Sequence, residues 1–501
     1  MKNSAASVGD APAGATWQPH RLLLAVVVGG VSFAAVLLTT LFADHYDDAF
    51  ITYVFARNWA AGHGIVWVPG DRPLYAATSL TYTALLAAAA RVGLDLPTTS
   101  SVLGALGWAA ANGLLVVLLR HRLGALGAFG AGMLSAVSTL PARLSMGMES
   151  GVFAALVFLA LTLQQEGRRT AASVAAAIAT LTRPEGLLLF PLLAADALLR
   201  ARGEPWRRRW RATALALAPG VTPLGVAAVA LATYFGSFVP HSLRAKLGFG
   251  CEISGCFSLA GLAALLAPHA GVPYTYVLLT LAAAGGLLAL AVPRHALLFA
   301  WTELALVAFI AGHAPNSPWY YAPLVPGLFA AAAAVVVLAG RRRWPLPALR
   351  AALLAALVAV NAFGTARLLR DDFLGRQTIW NGEKRELAAA VRADMARRGT
   401  KRAHVLAFEV GYLGYVVPGR VDDLLGIVSP GLQPCLRGED GEAVLTKLRP
   451  DYVVLVDNPH YLGTGCIQRT AALARDYVPI HSLTRQFGDH YVVHARRRVP
   501  H

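Results

Sequence analysis

The stretch HYDDAFITYVFARNWAAGHG, residues 45–64, follows an apolar run from Leu22 to Ala43 and presents two adjacent carboxylates, Asp47 and Asp48. The run before it is long enough to cross a bilayer and longer than the core of a cleavable signal, so it reads as a retained first span. The stretch itself has helical spacing. Phe50, Ile51, Val54, Phe55 and Trp59 fall at i, i+3 and i+4, Thr52 and Arg57 lie on the other side, and Gly62 and Gly64 end the pattern. Such a helix is expected to lie along the membrane surface with its acids at the N-terminus. One acid there would be an ordinary cap. A like-charged neighbour raises a carboxyl's pKa and makes a base that works near neutral pH, so Asp47 and Asp48 are the candidate catalytic pair.

The rest of the chain agrees with a membrane setting. Of 501 residues 56% are hydrophobic and 14% charged, with a mean hydropathy of +0.53, which leaves too few charges to cover a globular surface of that size. The formal charge of +16 would suit a nucleic-acid binder, but the basic residues sit between apolar runs, as in RHR at 120–122, RRRWR at 207–211 and RRR at 341–343. That is the positive-inside pattern, and nucleic acid is not an expected partner. Apolar runs at 21–43, 100–119, 124–141, 150–165, 171–182, 186–200, 212–235, 272–292, 295–313, 318–339 and 346–370 predict about eleven transmembrane helices, several of them short. Residues 75–92 are apolar enough to count as a further span, but counting them would put the basic 120–122 cluster outside. They read instead as a partly inserted element of a first outer loop, 44–98.

With residues 1–20 cytoplasmic and a membrane domain over 21–370, the polar motifs converge on the outer face. These are the Asp47 segment, SMGMES at 145–150, TRPEG at 182–186, FVPHSLRAKLG at 238–248 and SPWYYAP at 317–323. Residues 371–501 change character. GEKRELAAAVRADMARRG reads as an amphipathic helix, and HVLAFEV and DYVVLVD as buried strands, which predicts an extracytoplasmic α/β domain. Cys251 with Cys256 and Cys435 with Cys466 are plausible disulfides if their segments are extracytoplasmic.

Each motif has a plain reading beside the functional one. Glu149 starts a span, where an isolated acid needs a role or a partner; it is either a cap or a substrate contact. Arg183 and Glu185 make either a structural ion pair or, through Arg183, a lipid-phosphate contact. His241, Arg244 and Lys246 are cations on a face that the positive-inside rule leaves poor in them, so an anion such as phosphate is their expected ligand. Trp319 and Tyr320 fit an aromatic belt or a stacking surface for a sugar or isoprenoid. Trp67, Tyr75 and Trp319 are expected to matter for sugar choice if they meet in one pocket, and Arg57 is a candidate substrate contact. No GxxxxGK[ST], GxGxxG or HExxH motif and no paired CxxC occurs, which argues against ATP hydrolysis, dinucleotide chemistry and a zinc site.

In this order, DDAFITYVFARNWAAGHGIVWVPGDRPLYAATS, GMES, TRPEGLLL, VPHSLRAKLG, SPWYYAPLVPG and GYLGYVVPGRVDDLLGIVSP resemble the GT-C superfamily of membrane glycosyltransferases, in the branch of the mycobacterial terminal arabinofuranosyltransferase. The chain departs from that pattern at Ala76, Leu80 and His241, where such proteins usually carry Gly, Pro and Asn. The resemblance implies a mainly α, GT-C membrane domain. It further implies transfer of a sugar, arabinofuranose or mannose, from a polyprenyl-phosphate donor to a cell-envelope glycan or glycoconjugate outside the bacterial plasma membrane. Asp47 would be the general base, supported by Asp48, with Arg244, Lys246 and Arg183 facing the donor phosphate. It implies no essential cofactor, although an acid pair can hold a divalent ion with waters. A lipid-linked sugar flippase or transporter is the alternative; it would more often show inverted repeats or mid-membrane charges.

Overall fold

The computed structural model describes residues 19–41, 43–290, 297–343, 347–373, 382–438, 440–457, 464–484 and 490–497. Each of the eleven apolar runs holds a helix. Six helices among the described residues are long and apolar enough to cross a membrane: Leu22–Thr40, Leu96–His121, Leu123–Arg143, Trp206–Phe235, Pro318–Leu338 and Pro347–Asp371. The second and third form a continuous helix broken at Gly124, whose φ of 69° is open mainly to glycine. The apolar helices Ser150–Gln165, Val272–Leu287 and Leu297–Ala311 are shorter. The helix Leu259–Ala270 lies outside every run read from sequence; Pro268 and His269 cut its apolar stretch short.

Small residues let the helices approach closely, as is usual where lipid gives no hydrophobic drive for helix pairing. Gly107 leaves no room for a Cβ against the backbone of Gly151 and Val152, and Gly220 leaves none against the Ser173 carbonyl.

The segment read as partly inserted forms a helix, Leu80–Arg91, too short to span. It packs Tyr82 and Leu86 against Phe50 and Tyr53 of the helix Asp47–Ala60, called here the Asp47 helix. That helix does not lie free on a membrane surface. It is sandwiched between the helical bundle and the C-terminal domain, so Tyr53 and Ala56 are buried along with the expected Phe50, Ile51, Val54 and Phe55. Trp59 leaves the apolar stripe; it is 36% exposed at the far end.

The C-terminal domain opens with the helix Gly382–Arg398 and carries a five-stranded sheet in the order β2-β1-β3-β5-β4. β1 (Ala403–Ala407) pairs in parallel with β2 (Gly419–Asp423) and β3 (Tyr452–Val456); β5 (His490–Arg496) runs antiparallel to β3 and β4 (Tyr477–Thr484). β1 and β3 are the two strands expected from sequence, and β3 is buried along its whole length, as the continuous apolar run requires.

Candidate active site

The Asp47 helix clamps a short helix of the C-terminal domain, Gly411–Val416, end to end. The Asp47 carboxylate accepts from the N–H groups of Gly411 at 2.8 Å and Tyr412 at 2.9 Å. Arg57 donates to the carbonyls of Tyr415 at 2.7 Å and Gly414 at 3.3 Å, with its guanidinium 5.1 Å from the Tyr415 ring. An acid thus meets the positive end of the short helix and a cation its negative end. Burial raises the Asp47 carboxyl above its ordinary range, against the pull of Lys384 and the two N–H groups.

Asp48, one residue on, points elsewhere. Its Oδ2 accepts from Lys246 Nζ at 2.8 Å, and both residues line a cavity of about 340 Å³. Lys246 sits on the helix His241–Ser254, the Lys246 helix, with its ammonium 5.3 Å from the Trp319 ring. Burial opposes the charge on Lys246, but Asp48, Tyr320 and Glu149 together outweigh it and hold the ammonium above its usual range.

Two turns bring the other polar groups in. At SMGMES, Gly147 has φ 79°, and its carbonyl accepts from Tyr53 and Ser100; a Cβ there would strike His45 and the Tyr53 hydroxyl. This turn delivers Met148 and Glu149 to the cavity. At TRPEG, Arg183 is extended and ends one helix, while Pro184 starts the 3-10 turn Pro184–Leu188 that presents Glu185. Arg183 Nη1 lies 3.1 Å from Glu149 and Nη2 lies 2.9 Å from Glu185, with all three side chains nearly closed to solvent. The ion pair expected at TRPEG is therefore a triad in which Arg183 stands between Glu149 and Glu185, and the Arg183 guanidinium lies 5.5 Å from the Tyr320 ring. Leu187, Leu188, Ala308 and Phe309 supply an apolar wall.

Asp48, Lys246, Arg183, Glu149, Trp319 and Tyr320 therefore share one cavity. The other expected residues do not line it. Arg244 is exposed because it lies two residues, or about 200° of helix, from Lys246. His241 is used at the domain junction, where its Nε2 is 2.8 Å from the Gly426 carbonyl oxygen. Tyr75 stacks on Phe235 at 5.1 Å, and Trp67 donates its indole N–H to the Val421 carbonyl at 2.7 Å, so neither meets Trp319 in a pocket.

Among the lining residues that sequence reasoning did not single out are Ser242 and Ile427. Ser242 comes from the Lys246 helix, and Ile427 from the C-terminal domain. Ile427 is held by Asp423, whose buried carboxylate accepts from the N–H groups of Leu425, Ile427 and Val428. Burial pushes the Asp423 carboxyl up to about 7 against those bonds.

The structure joins Cys251 to Cys256 and Cys435 to Cys466. The first bridge follows Lys246 on its helix and lies beside the loop that carries Ala314 and Pro315 into the cavity. Cys251, Cys256 and His313 bring donor atoms within 4.8 Å of one another, but sulfurs bonded to each other are not thiolate ligands. The cavity carboxylates of Asp48, Glu149 and Glu185 are each engaged by Lys246 or Arg183.

The chain superposes on known structures over most of its length. An oligosaccharyltransferase from Archaeoglobus fulgidus in the apo form superposes with a TM-score of 0.59 at 12% identity, over 94% of this chain and 74% of that one. ArnT from Cupriavidus metallidurans bound to undecaprenyl phosphate gives 0.54 at 16%, over 94% of this chain and 97% of that one.

The chain has the GT-C fold.

A further GT-C structure, the archaeal oligosaccharyltransferase AglB from Archaeoglobus fulgidus with an inhibitory peptide and a dolichol-phosphate, gives 0.57 at 12%, over 96% of this chain and 75% of that one. Residues 377–499 match a family described as a domain of unknown function (DUF8728). No curated protein matches the sequence.

Proposed function

We propose that this GT-C chain is an inverting glycosyltransferase of the outer face of the bacterial plasma membrane. It moves a sugar, arabinofuranose or mannose, from a polyprenyl-phosphate donor to a hydroxyl of a cell-envelope glycan or glycoconjugate, as the resemblance to the terminal arabinofuranosyltransferase branch suggests. The observation that carries this reading is the Asp48–Lys246 pair, 2.8 Å apart, in a cavity whose other wall is apolar. A base, a cation for phosphate and a lipid-compatible surface meet there.

In this reading Asp48 takes the role of general base, and Asp47 is a positioning residue that fixes the helix against the C-terminal domain. The acceptor hydroxyl gives its proton to the Asp48 carboxylate as its oxygen attacks the anomeric carbon. The bond from that carbon to the phosphate oxygen breaks, and the electron pair leaves with the phosphate, whose charge Lys246 stabilises. The charges favour a monophosphate. Asp48, Glu149 and Glu185 outnumber Arg183 and Lys246 by one, and Arg183 is already held by two carboxylates. A diphosphate would add more negative charge than Lys246 alone can offset. The reading assigns no step to a metal. Two disulfides suit an oxidising outer compartment.

The test is transfer by the purified chain from synthetic polyprenyl-phosphate arabinofuranose and mannose, in parallel, to a short glycan, comparing wild type with Asp48→Asn. Product from wild type that disappears in the variant supports the reading. Wild-type rates in the variant remove Asp48 as the base. Labelled lipid that crosses proteoliposomes unconsumed makes the chain a transporter instead.

A further inference from the structure

Ser242 is the second residue of the Lys246 helix, 4% exposed, and its side chain lines the cavity. Its Oγ is buried and has no hydrogen-bond partner among the described residues. The buried hydroxyls of Ser79, Ser135, Ser138 and Thr139 also lack a partner among the described residues, but none of them lines this cavity, where Ser242 has space in which to meet one.

The backbone around it is equally open. The first N–H groups of a helix find no partner inside it. The His241 N–H is taken by the Tyr75 carbonyl at 2.6 Å and the Arg244 N–H by the Pro240 carbonyl at 3.2 Å, whereas those of Ser242 and Leu243 have no partner among the described residues. Leu243 also lines the cavity. Ser242 and Lys246 are four residues apart and so share a helix face.

We propose that this first turn is a phosphate-binding site. The N–H groups of Ser242 and Leu243, the Ser242 hydroxyl and the Lys246 ammonium converge on one phosphate group in the cavity. A helix N-terminus favours such an anion through both its dipole and its free donors. An ammonium has three N–H donors, so Lys246 keeps Asp48 while it takes a phosphate oxygen. Base and leaving group then share one cation. The inference rests on the reading of the cavity as a lipid-phosphate site and adds which atoms hold the phosphate.

The experiment is calorimetric titration of the full chain in detergent with farnesyl phosphate, farnesol and inorganic phosphate, for wild type, Ser242→Ala and Ser242→Thr. Ser242→Ala is expected to bind farnesyl phosphate about tenfold more weakly, the loss of one hydrogen bond to a charged group. Farnesol affinity stays unchanged, and Ser242→Thr, which keeps the hydroxyl, stays near wild type. Tighter binding of farnesyl phosphate than of inorganic phosphate identifies a lipid headgroup. Equal affinity, with the same dependence on Ser242, keeps the phosphate site and assigns it to the free ion. Unchanged farnesyl phosphate affinity in Ser242→Ala, an equal loss of farnesol, or no phosphate binding by wild type overturns the proposal. Because binding is read without transfer, a chain that transfers no sugar yet loses farnesyl phosphate in Ser242→Ala removes the glycosyltransferase reading and leaves this one standing.

Discussion

Asp47 and Asp48 are consecutive, yet their carboxylates serve different bodies of the protein: Asp47 accepts two N–H groups of the C-terminal domain, and Asp48 faces Lys246 across the cavity. Consecutive helical residues point about 100° apart, which is enough to separate a docking contact from a reacting one. Asp48→Asn should therefore lower transfer by about 10²-fold or more while melting as wild type does. Asp47→Asn should lower the melting temperature and loosen the C-terminal domain, with a smaller fall in rate. Rates and melting curves of both variants check this, and equal loss of rate with unchanged melting in both would count against the division.

Arg57→Ala should weaken the grip on the Gly411–Val416 helix by ~1.5–3 kcal/mol, the worth of hydrogen bonds from a charged donor. Hydrogen exchange in residues 411–416 would speed up accordingly. Arg57→Lys should recover only part of that protection, because an ammonium cannot reproduce a planar fork on two carbonyls.

Arg183→Gln leaves Glu149 and Glu185 without their shared cation in a nearly closed site. Removing one member of such a buried group costs about 3–5 kcal/mol. The variant should be poorly folded, and adding Glu149→Gln to it should raise its melting temperature rather than lower it further. A singly substituted protein that melts as wild type does would refute the triad as a stabilising unit.

Asp423 makes stability depend on pH. Its folded carboxyl is pushed up to about 7 from an ordinary 3.8, so the folded chain holds a proton there that the unfolded chain has released. The corresponding stability is full below about pH 4 and is lost as pH rises through about 7, by at most ~1.4 kcal/mol per unit. Asp423→Asn removes that slope, so its advantage over wild type should grow between pH 5 and pH 8. Melting curves of both proteins across that range decide the matter, and parallel curves would exclude this role.

The helices were legible because each span carries its own apolar run, and β1 and β3 because a buried strand reads as uninterrupted Val and Leu. Leu259–Ala270 was not, since twelve residues ending in Pro268 and His269 make a weak signal. β4 and β5 alternate or mix burial along their length and give no continuous run. At the site, the residue types were legible and their directions were not. His241, Arg244 and Lys246 look equivalent in a loop, but on a helix only Lys246 turns to the cavity. Ser242 carries no charge to mark it. Ile427 reaches the cavity only because Asp423 folds the backbone of another domain around itself, and no pattern local to the Lys246 helix records that approach.

The grip of Asp47 and Arg57 on the two ends of Gly411–Val416 also sets how this protein can be divided. A cut near residue 371 looks natural from composition, but it would leave a carboxylate, a guanidinium and the apolar faces of Phe50 and Trp67 facing water instead of their partners. In a chimera with another chain of this fold, the segment 44–78 and the C-terminal domain would have to be exchanged together, because the exchangeable part is defined by that clamp and not by where the last long apolar helix stops.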